Sequence, residues 1–149
     1  MLDISFFKGK KIFITGHTGF KGSWLAFILK NFGADVTGYA LKPKNSFDNF
    51  YLLKLDKSIK NYYNDIRDYS KLKKSLQESK PDIIFHLAAQ SLVKKSFIDP
   101  YLTFSTNIFG TINILEEIKT LKSIKSVIIV TSDKCYKNKE KLNDYSENS

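Results

Sequence analysis

Short apolar segments alternate with stretches of helical periodicity along the chain. The apolar segments lie at residues 11–15, 35–40, 59–64, 82–87 and 127–131. The last of them is continuously apolar, as expected for a buried strand of a parallel sheet. This alternation predicts a βαβαβαβαβ chain, which is typical of an α/β domain with helices on both faces of the sheet.

Helical periods fill three of the four intervals between these segments. The first predicted helix ends at Gly33, the second begins after Asp68, and the third runs from Asp99-Pro100 to about Lys122. The remaining interval, 41–58, is polar and has no clear period. The apolar positions are Phe20, Trp24, Leu25, Ile28, Leu29 and Phe32 in the first helix, Tyr69, Leu72 and Leu76 in the second, and Leu102, Ile108, Phe109, Ile112, Leu115, Ile118 and Leu121 in the third.

Right-handed crossovers between such units produce a doubly wound parallel sheet, the Rossmann fold, with strand order 3-2-1-4-5. Ligands of such sheets bind at the carboxyl ends of the strands, near the switch between strands one and four. The loops at 16–22, 65–66, 88–90 and 132–134 all follow predicted strand ends. We therefore expect them to line one crevice of a single domain that spans residues 1–149.

Three glycines, Gly16, Gly19 and Gly22, separate the first predicted strand from the first predicted helix. A glycine at the strand exit permits a tight turn, the second lets backbone N–H groups approach an anion, and the third allows close helix packing. The positive end of the helix dipole then faces the phosphates. The spacing predicts a pyrophosphate-binding loop, and the alternative is a glycine-rich turn without a ligand.

Composition and charge exclude several classes of function. The 149 residues include no apolar run of membrane-spanning length, and residues 1–7 lack the features of a signal peptide, so we expect no membrane partner and a cytoplasmic location. A single cysteine, Cys135, and two histidines do not support a metal site. The net charge is +9, but the lysines are scattered and Arg67 is the only arginine, so no nucleic-acid partner is expected.

The residues after strands two and three bear on cofactor choice. Asp65, with the backbone of Ile66, could accept a hydrogen bond from an adenine amino group, or it could only cap the next turn. The acidic residue that would bind an adenosine ribose after strand two is missing, because Tyr39-Ala40-Leu41-Lys42 occupies that region. The spacing therefore leaves NAD and NADP open, and Lys42 or Lys44 could meet a 2′-phosphate.

Strand five ends in Ser132-Asp133-Lys134, beside the expected place of a nicotinamide. Ser132 could hold a substrate hydroxyl, while Asp133 and Lys134 could act as an acid-base pair; the alternative is a turn with a solvated lysine. Asn107, a further cofactor-site candidate, could bond backbone or a water chain near the site. His17 and His86 are expected to orient local backbone.

Five segments carry a resemblance to a known family. They read Thr-Gly-His-Thr-Gly-Phe-Lys-Gly-Ser-Trp at 15–24, Asp-Ile-Arg-Asp at 65–68, Phe-His-Leu-Ala-Ala-Gln at 85–90, Ser-Thr-Asn at 105–107 and Thr-Ser-Asp-Lys-Cys-Tyr at 131–136. Together they resemble the CDP-glucose 4,6-dehydratases of the extended short-chain dehydrogenase/reductase superfamily. The glycine loop identifies only the superfamily; Asp133-Lys134 is more specific, because related dTDP-glucose dehydratases carry Asp-Glu there.

The resemblance implies a lyase that uses NAD to convert CDP-glucose to CDP-4-keto-6-deoxyglucose, and a homo-oligomer. Hydride leaves C4, water is eliminated across C5 and C6, and the hydride returns to C6. Ser132 would bind the C4 hydroxyl, Asp133 would assist departure of the C6 hydroxyl, and Lys134 would take part in the C5 proton transfer. The implied cofactor contacts are Gly16, Thr18, Gly19, Phe20, Lys21 and Gly22 to the pyrophosphate, Asp65 and Ile66 to the adenine, and Ala88, Ala89 and Gln90 to the rest.

One departure from the family is the missing Tyr-x-x-x-Lys pair, whose tyrosinate would remove the C4 hydroxyl proton. Tyr145 is followed by Asn148 and Ser149, and Tyr136 by Glu140. We therefore interpret the chain as an incomplete NAD-binding domain, truncated after strand five, without a substrate domain, inactive alone and prone to associate. The alternatives are another NAD(P)-dependent nucleotide-sugar epimerase or reductase, and a nucleotide-binding module without catalysis.

Overall fold

The computed structural model of the chain describes residues 4–132. Its strands are β1 (Lys11–Thr15), β2 (Asp35–Ala40), β3 (Lys60–Tyr63), β4 (Ile83–His86) and β5 (Ser126–Ile129). They form one parallel sheet in the order β3-β2-β1-β4-β5, which confirms the predicted doubly wound topology. The order reverses between β1 and β4, so a crevice opens at the carboxyl ends of these two strands.

Helices connect the strands and cover both faces of the sheet. They are α1 (Phe20–Asn31), α2 (Asn49–Leu52), α3 (Leu55–Ser58), α4 (Tyr69–Ser79), α5 (Val93–Ile98), α6 (Pro100–Phe104) and α7 (Gly110–Ile118), with a π-helical segment, Ser105–Phe109, between α6 and α7. The predicted end of α1 and the predicted start of α4 are confirmed: Gly33 adopts a φ of 83° after α1, and the Asp68 carboxylate accepts from the Lys71 N–H in the first turn of α4.

The long helix predicted from Asp99 to about Lys122 is present: α6, the π-helical segment and α7 follow one another without a gap from Pro100 to Ile118. Two details differ from the prediction, because Ser105–Phe109 is π-helical and the helix ends at Ile118. At the junction, Gly110 lies against Ile66 so closely that a Cβ atom would come within 2.8 Å of the Ile66 side chain. The backbone is therefore positioned by tertiary contacts that the periodicity of this segment does not contain.

Two hydrophobic clusters pack on opposite faces of the sheet, because successive side chains of a strand alternate between faces. Ile12 and Ile14 of β1 belong to the cluster under α1, whereas Phe13 belongs to the cluster under α4 and α7. The interval 41–58 contributes to the first cluster through Phe50 and Leu55, which are fully buried. Two buried residues in an otherwise polar segment are too few to form a periodic pattern. The sequence pattern therefore did not predict α2 and α3.

The apolar stripe of α1 faces outward. Its buried residues are Gly22, Ser23, Ala26 and Leu29, while Phe20, Trp24 and Ile28 are exposed. Small residues are required on the inner face because α1 begins directly on the glycine loop, where a Cβ at Gly22 would lie 2.2 Å from the Gly16 carbonyl oxygen. Close approach of the helix to the loop therefore determines which face is buried.

The last helical region and β5 are less buried than their apolar sequences predict. In the helical region the buried residues are Ser105, Gly110, Ile114 and Glu117, and the exposed apolar residues include Ile108, Phe109, Ile112 and Leu115. β5 was expected to be buried, but its side chains alternate between exposed and half-buried because, within residues 4–132, it forms an edge of the sheet. A substantial apolar surface therefore lies along this side of the described domain.

Candidate cofactor-binding site

A cavity of about 690 Å³ lies at the carboxyl ends of β1 and β4, where the fold predicts a ligand. It draws lining residues from the predicted loops at 16–22, 65–66 and 88–90, and from Thr131 just before the fourth. Eleven of the twelve predicted cofactor-site residues line it, namely Gly16, Thr18, Gly19, Phe20, Lys21, Gly22, Asp65, Ile66, Ala88, Ala89 and Gln90. The structure thus brings together segments that are far apart in the chain.

The glycine loop is shaped as a cradle for an anion. Gly16 has a φ of 73°, and a Cβ there would lie 2.8 Å from the Ala88 nitrogen. The Gly19 N–H donates to the Gly16 carbonyl (3.0 Å), which closes the turn before α1. The first N–H groups of α1 have no carbonyl partners within the helix, and the positive end of its dipole points toward the loop. Side chains at Gly16 or Gly22 would collide with neighbouring backbone and open this turn. The closed turn and the free N–H groups at the start of α1 together fit a pyrophosphate group.

His17 and Thr18 hold this loop in place. His17 is fully buried: its ring packs edge-on against Phe50, and its Nε2 donates to Asn61 Oδ1 (2.8 Å). The Asn61 amide nitrogen donates to the Leu55 and Ile59 carbonyls, which leaves its oxygen as the acceptor. Burial lowers the pKa of His17 to about 4, so the ring is neutral at pH 7. His17 is therefore an anchor of the loop and not a titrating group of the cavity.

A chain of hydrogen bonds joins the core to the loop after β4. The Thr15 hydroxyl accepts from the Leu87 and Ala88 N–H groups (3.1 Å each) and lies 2.7 Å from His86 Nδ1. Because both lone pairs of that oxygen are used, the hydroxyl donates to Nδ1, and the proton of the neutral ring is on Nε2. Nε2 donates to Thr111 Oγ1 (3.1 Å). Burial lowers the pKa of His86 to about 4, which agrees with this neutral form.

Asn107 does not line the cavity but fixes a residue that does. Its side-chain amide accepts from the Gln90 N–H (2.8 Å) and donates to the Gln90 carbonyl (3.1 Å). Thr111 Oγ1 donates to the Asn107 carbonyl (2.7 Å), so this clamp is continuous with the hydrogen bonds from His86. The predicted bonding of Asn107 to backbone is therefore present, and the π-helical segment that carries it serves to hold the loop at 88–90.

Asp65 is paired with Arg67 at the opposite end of the cavity. Its carboxylate accepts from the Arg67 backbone N–H (2.9 Å), Nε (3.0 Å) and Nη2 (2.7 Å), and these bonds hold its pKa below the usual value. Tyr39 OH donates to the Asp65 carbonyl (3.0 Å). Asp65, Ile66 and Arg67 all line the cavity. The hydrogen bonds of Asp65 to Arg67 and Tyr39 fix the conformation of this loop.

The candidate catalytic residues are only partly described. Ser132 is exposed and lies just beyond Thr131, which lines the cavity; Ser132 itself does not line it. Asp133 and Lys134 lie outside the described residues. Among residues 4–132, no group of three or more His, Cys, Asp and Glu side chains is arranged to hold a metal ion.

Sequence reasoning missed the side chains that position the loops. Arg67 lines the cavity and binds Asp65, and its place in Asp-Ile-Arg-Asp was a usable signal. Thr15 and His86 occupy paired positions at the ends of β1 and β4, so the parallel register alone would have placed them side by side. No sequence pattern pointed to Asn61 or Thr111. Their hydrogen-bond partners, His17 and His86, lie in other elements, and the sequence does not give the positions of those elements relative to Asn61 and Thr111.

Comparisons with known proteins identify the family of the chain. The family model for GDP-mannose 4,6 dehydratase matches residues 13–148. A CDP-glucose 4,6-dehydratase from Salmonella typhimurium (strain LT2) is 47% identical over 99% of this chain, which covers 41% of that protein. The structure of the UDP-glucose 4-epimerase of Thermus thermophilus in complex with NAD is 29% identical, with a TM-score of 0.67 over 77% of this chain and 35% of that one.

A further solved structure supports the fold alone. An epimerase from Methanothermobacter thermautotrophicus superimposes with a TM-score of 0.81 at 24% identity, over 97% of this chain and 42% of that one. The chain thus spans less than half the length of each of these relatives. None of the helices in residues 4–132 has the length and apolar character needed to cross a membrane. With the glycine loop at the switch point of a Rossmann sheet and a family match over most of its length, the chain belongs to the GDP-mannose 4,6 dehydratase family.

Proposed function

We propose that the chain is the cofactor-binding part of an NAD-dependent lyase that dehydrates CDP-glucose to CDP-4-keto-6-deoxyglucose. The observation that carries the proposal is the cradle formed by Gly16, Gly22 and the Ala88 nitrogen, together with 47% identity to a CDP-glucose 4,6-dehydratase. The Thermus thermophilus epimerase, which is similar in fold, was solved in complex with NAD. The choice of CDP-glucose and of NAD for this chain rests on the resemblance.

Cofactor binding follows from the arrangement of the cavity. The N–H groups of the first turn of α1 would bind the pyrophosphate, with Lys21 beside it. Asp65 and Ile66 would lie against the adenine, and the loop from Ala88 to Gln90 would lie along the nicotinamide half. Because Asn107 and Thr15 hold the backbone of that loop, the surface offered to the cofactor is formed before binding.

The proposed chemistry needs a hydride acceptor, an acid and a base around one sugar ring. The bound cofactor supplies a site that takes hydride from C4 and returns it to C6, so it ends unchanged. Ser132 would orient the C4 hydroxyl, whose proton would pass to the tyrosinate that the resemblance implies for the enzyme, and Asp133 would donate the proton with which the C6 hydroxyl leaves as water. Lys134 would accept the C5 proton, which the C4 ketone has made acidic, and would return it to C5 when hydride adds to C6.

Cofactor binding is tested on the 149-residue chain itself. Isothermal titration calorimetry with NAD⁺ is expected to show saturable binding at one site per chain. Gly22→Ala is expected to abolish the binding, because its Cβ would meet the Gly16 carbonyl oxygen. Lys74→Ala, on the exposed side of α4 and outside the cavity, serves as the matched control. Binding that survives Gly22→Ala in a folded protein would refute the assigned cradle.

Turnover is tested in a chimera. The chain replaces the matched segment of the Salmonella typhimurium CDP-glucose 4,6-dehydratase, which supplies the remaining part of the enzyme. Incubation with CDP-glucose and NAD⁺ is expected to yield CDP-4-keto-6-deoxyglucose, detected by NMR. Lys134→Ala and Asp133→Asn chimeras should bind NAD⁺ but form little product. A folded chimera that binds NAD⁺ and epimerises or reduces the sugar instead would replace the dehydratase proposal.

A further inference from the structure

We propose that one side of this domain docks on an anionic lipid surface. The side in question is formed by α1, α2, α3 and the turn before β1, and is called the α1 face below. The proposal goes beyond the cofactor site. The sequence predicts no membrane partner because it has no spanning apolar run, whereas a helix that lies on a bilayer surface needs no such run.

The outward side of α1 carries a row of exposed apolar side chains. Phe20, Trp24 and Ile28 follow one another at intervals of four residues, so they lie on one side of the helix. Their side chains are 73%, 42% and 42% exposed. The Trp24 ring packs edge-on against Phe27, at 6.1 Å between centroids, which holds it at the surface. Exposed aromatic and aliphatic side chains on one side of a helix are typical of a face that enters the headgroup region of a bilayer.

The turn before β1 extends this apolar surface at the other end of α1. The Phe7 ring stacks on Phe32, just after α1, at 6.3 Å between centroids. Ile4 and Phe6 of the same turn are exposed, and Lys10 Nζ lies 5.7 Å from the centre of the Phe6 ring. An apolar ring beside an ammonium group suits the bilayer interface, because the ring enters the headgroup region while the charge meets a lipid phosphate.

Charge distinguishes the α1 face from the opposite side of the sheet. Residues 4–60, which contain α1, α2 and α3, hold ten lysines and three aspartates, a net charge of +7. Residues 61–132 hold ten basic and seven acidic residues, a net charge of +3. The ion pairs of the described chain all lie in this second part, so no lysine of residues 4–60 is paired with a described carboxylate. The α1 face is therefore complementary to a negatively charged surface.

The combination of charge and apolar side chains favours a lipid surface over a nucleic acid. A phosphate backbone attracts the lysines but leaves Ile28 and its apolar neighbours in water. The headgroup region of an anionic bilayer attracts the lysines and also buries the apolar side chains. Each lysine close to such a surface strengthens binding by about fivefold, and salt weakens this effect.

Trp24 is the single tryptophan of the chain, so its fluorescence reports on the α1 face directly. The 149-residue chain is mixed with vesicles of phosphatidylglycerol and phosphatidylcholine in equal parts. We expect the Trp24 emission to shift to the blue, and bromine-labelled lipid to quench it, because the ring moves from water into the headgroup region. Vesicles of phosphatidylcholine alone should bind at least about tenfold more weakly.

Variants separate the contributions of charge and apolar surface in co-sedimentation with the anionic vesicles. Lys30→Glu with Lys57→Glu reverses two exposed charges on the α1 face and is expected to weaken binding at least about 25-fold. Ile28→Asp is expected to weaken binding about tenfold or more. Lys74→Glu with Lys122→Glu makes the same change of charge in the part of the chain that packs on the opposite side, and should change binding less than about threefold. Far-UV circular dichroism reports whether each variant is folded.

Several results on the folded chain would overturn the proposal. An unchanged Trp24 emission with the anionic vesicles would show that the α1 face does not meet the bilayer. Equal weakening by the two pairs of lysine substitutions would show that only the overall charge matters. Release of the chain from the vesicles by an equal weight of duplex DNA would assign the face to a nucleic acid. A blue shift that follows protein concentration without lipid would assign it to a second copy of the chain.

The chimera with the Salmonella typhimurium enzyme extends the test to a full-length protein. A folded chimera should bind the anionic vesicles as the 149-residue chain does, and Lys30→Glu with Lys57→Glu should weaken it to the same extent. A folded chimera that does not bind would show that the remaining part of the enzyme covers the α1 face, and the proposal would be wrong. NAD⁺ binding is measured separately, so none of these results affects the proposed function.

Discussion

The Thr15 hydroxyl and the His86 imidazole lie 2.7 Å apart at paired positions of β1 and β4, immediately below the candidate cofactor site. The same hydroxyl accepts the Leu87 and Ala88 N–H groups, so a side chain of the central strand fixes the backbone that approaches Gly16. One side-chain oxygen atom therefore bonds both to His86 in the buried core and to the loop that lines the cavity.

Thr15→Val should destabilise the chain although it preserves shape and volume. The substitution removes the hydroxyl and leaves the Ala88 N–H and His86 Nδ1 without their partner, while the Leu87 N–H keeps only its bond to the Thr15 carbonyl (3.1 Å). We expect a loss of about 2–4 kcal/mol in the free energy of unfolding, measured by urea denaturation. Thr15→Ser keeps the oxygen and is the matched control, with a smaller loss. Equal stability of the valine variant and the wild type would show that these bonds contribute nothing.

The stability of the chain should fall on mild acidification because of its two histidines. Burial lowers the pKa of both His17 and His86 from 6.5 to about 4. Between these values the unfolded chain binds more protons than the folded one, so the stabilisation is complete above pH 6.5 and is lost as the pH falls toward 4. The loss amounts to up to about 3 kcal/mol per histidine.

NMR can follow both imidazole rings directly. Neither ring should titrate above about pH 5 in the folded chain, and the urea midpoint should decrease between about pH 7 and pH 5. A ring that titrates near the ordinary histidine value of about 6.5 would contradict its burial and its hydrogen bonds as described.

Asn107→Leu should weaken cofactor binding without contact between Asn107 and the cofactor. The substitution removes both bonds to the Gln90 backbone and loosens the loop that lines the cavity. We expect about a tenfold loss in NAD⁺ affinity, measured by calorimetry, because the ordered loop must then form on binding. Asn31→Leu removes a bond from a side-chain amide to the Phe27 carbonyl in α1, outside the cavity, and controls for general destabilisation. A loss in Asn31→Leu as large as in Asn107→Leu would argue against a specific clamp.

Strand order and the cavity were predictable because both follow from local patterns. The alternation of apolar segments with helical periods and the glycines after β1 are sufficient to place the crevice between β1 and β4. The orientation of α1 was not predictable from its apolar stripe. Its burial is set by the approach of Gly22 to Gly16, a contact that depends on the folded loop.

Residues that act at a distance were harder to identify. Phe50 and Leu55 anchor a segment whose sequence shows no period, and Asn61 orients His17 from a strand whose register is known only after folding. By contrast, Asp65 was identified as a site candidate while its partner Arg67 was not, although the two are close neighbours in the chain. Short-range polar pairs of this kind can be recognised from the sequence alone.

The exposed apolar surface of α6, α7 and the π-helical segment between them should cause self-association of the chain. Phe104, Ile108, Phe109 and Ile112 are all exposed on it. Sedimentation velocity is expected to show species larger than the monomer at high concentration. Ile108→Lys with Ile112→Lys should reduce them, whereas Lys74→Ala should not. A wild-type chain that remains monomeric throughout would contradict this role of the surface.

NMR mapping of the amide resonances during titration with NAD⁺ reports whether the loop from Gly16 to Gly22 holds a dinucleotide. We expect saturable shifts for the N–H groups of residues 16–22, 65–66 and 88–90, the segments that border the cavity. Residues around Lys30 and Lys57, which lie near Asp35 at the amino end of β2, should not respond. Absence of shifts at saturating NAD⁺, or shifts confined to the region around Lys30 and Lys57, would show that the loop does not bind the dinucleotide.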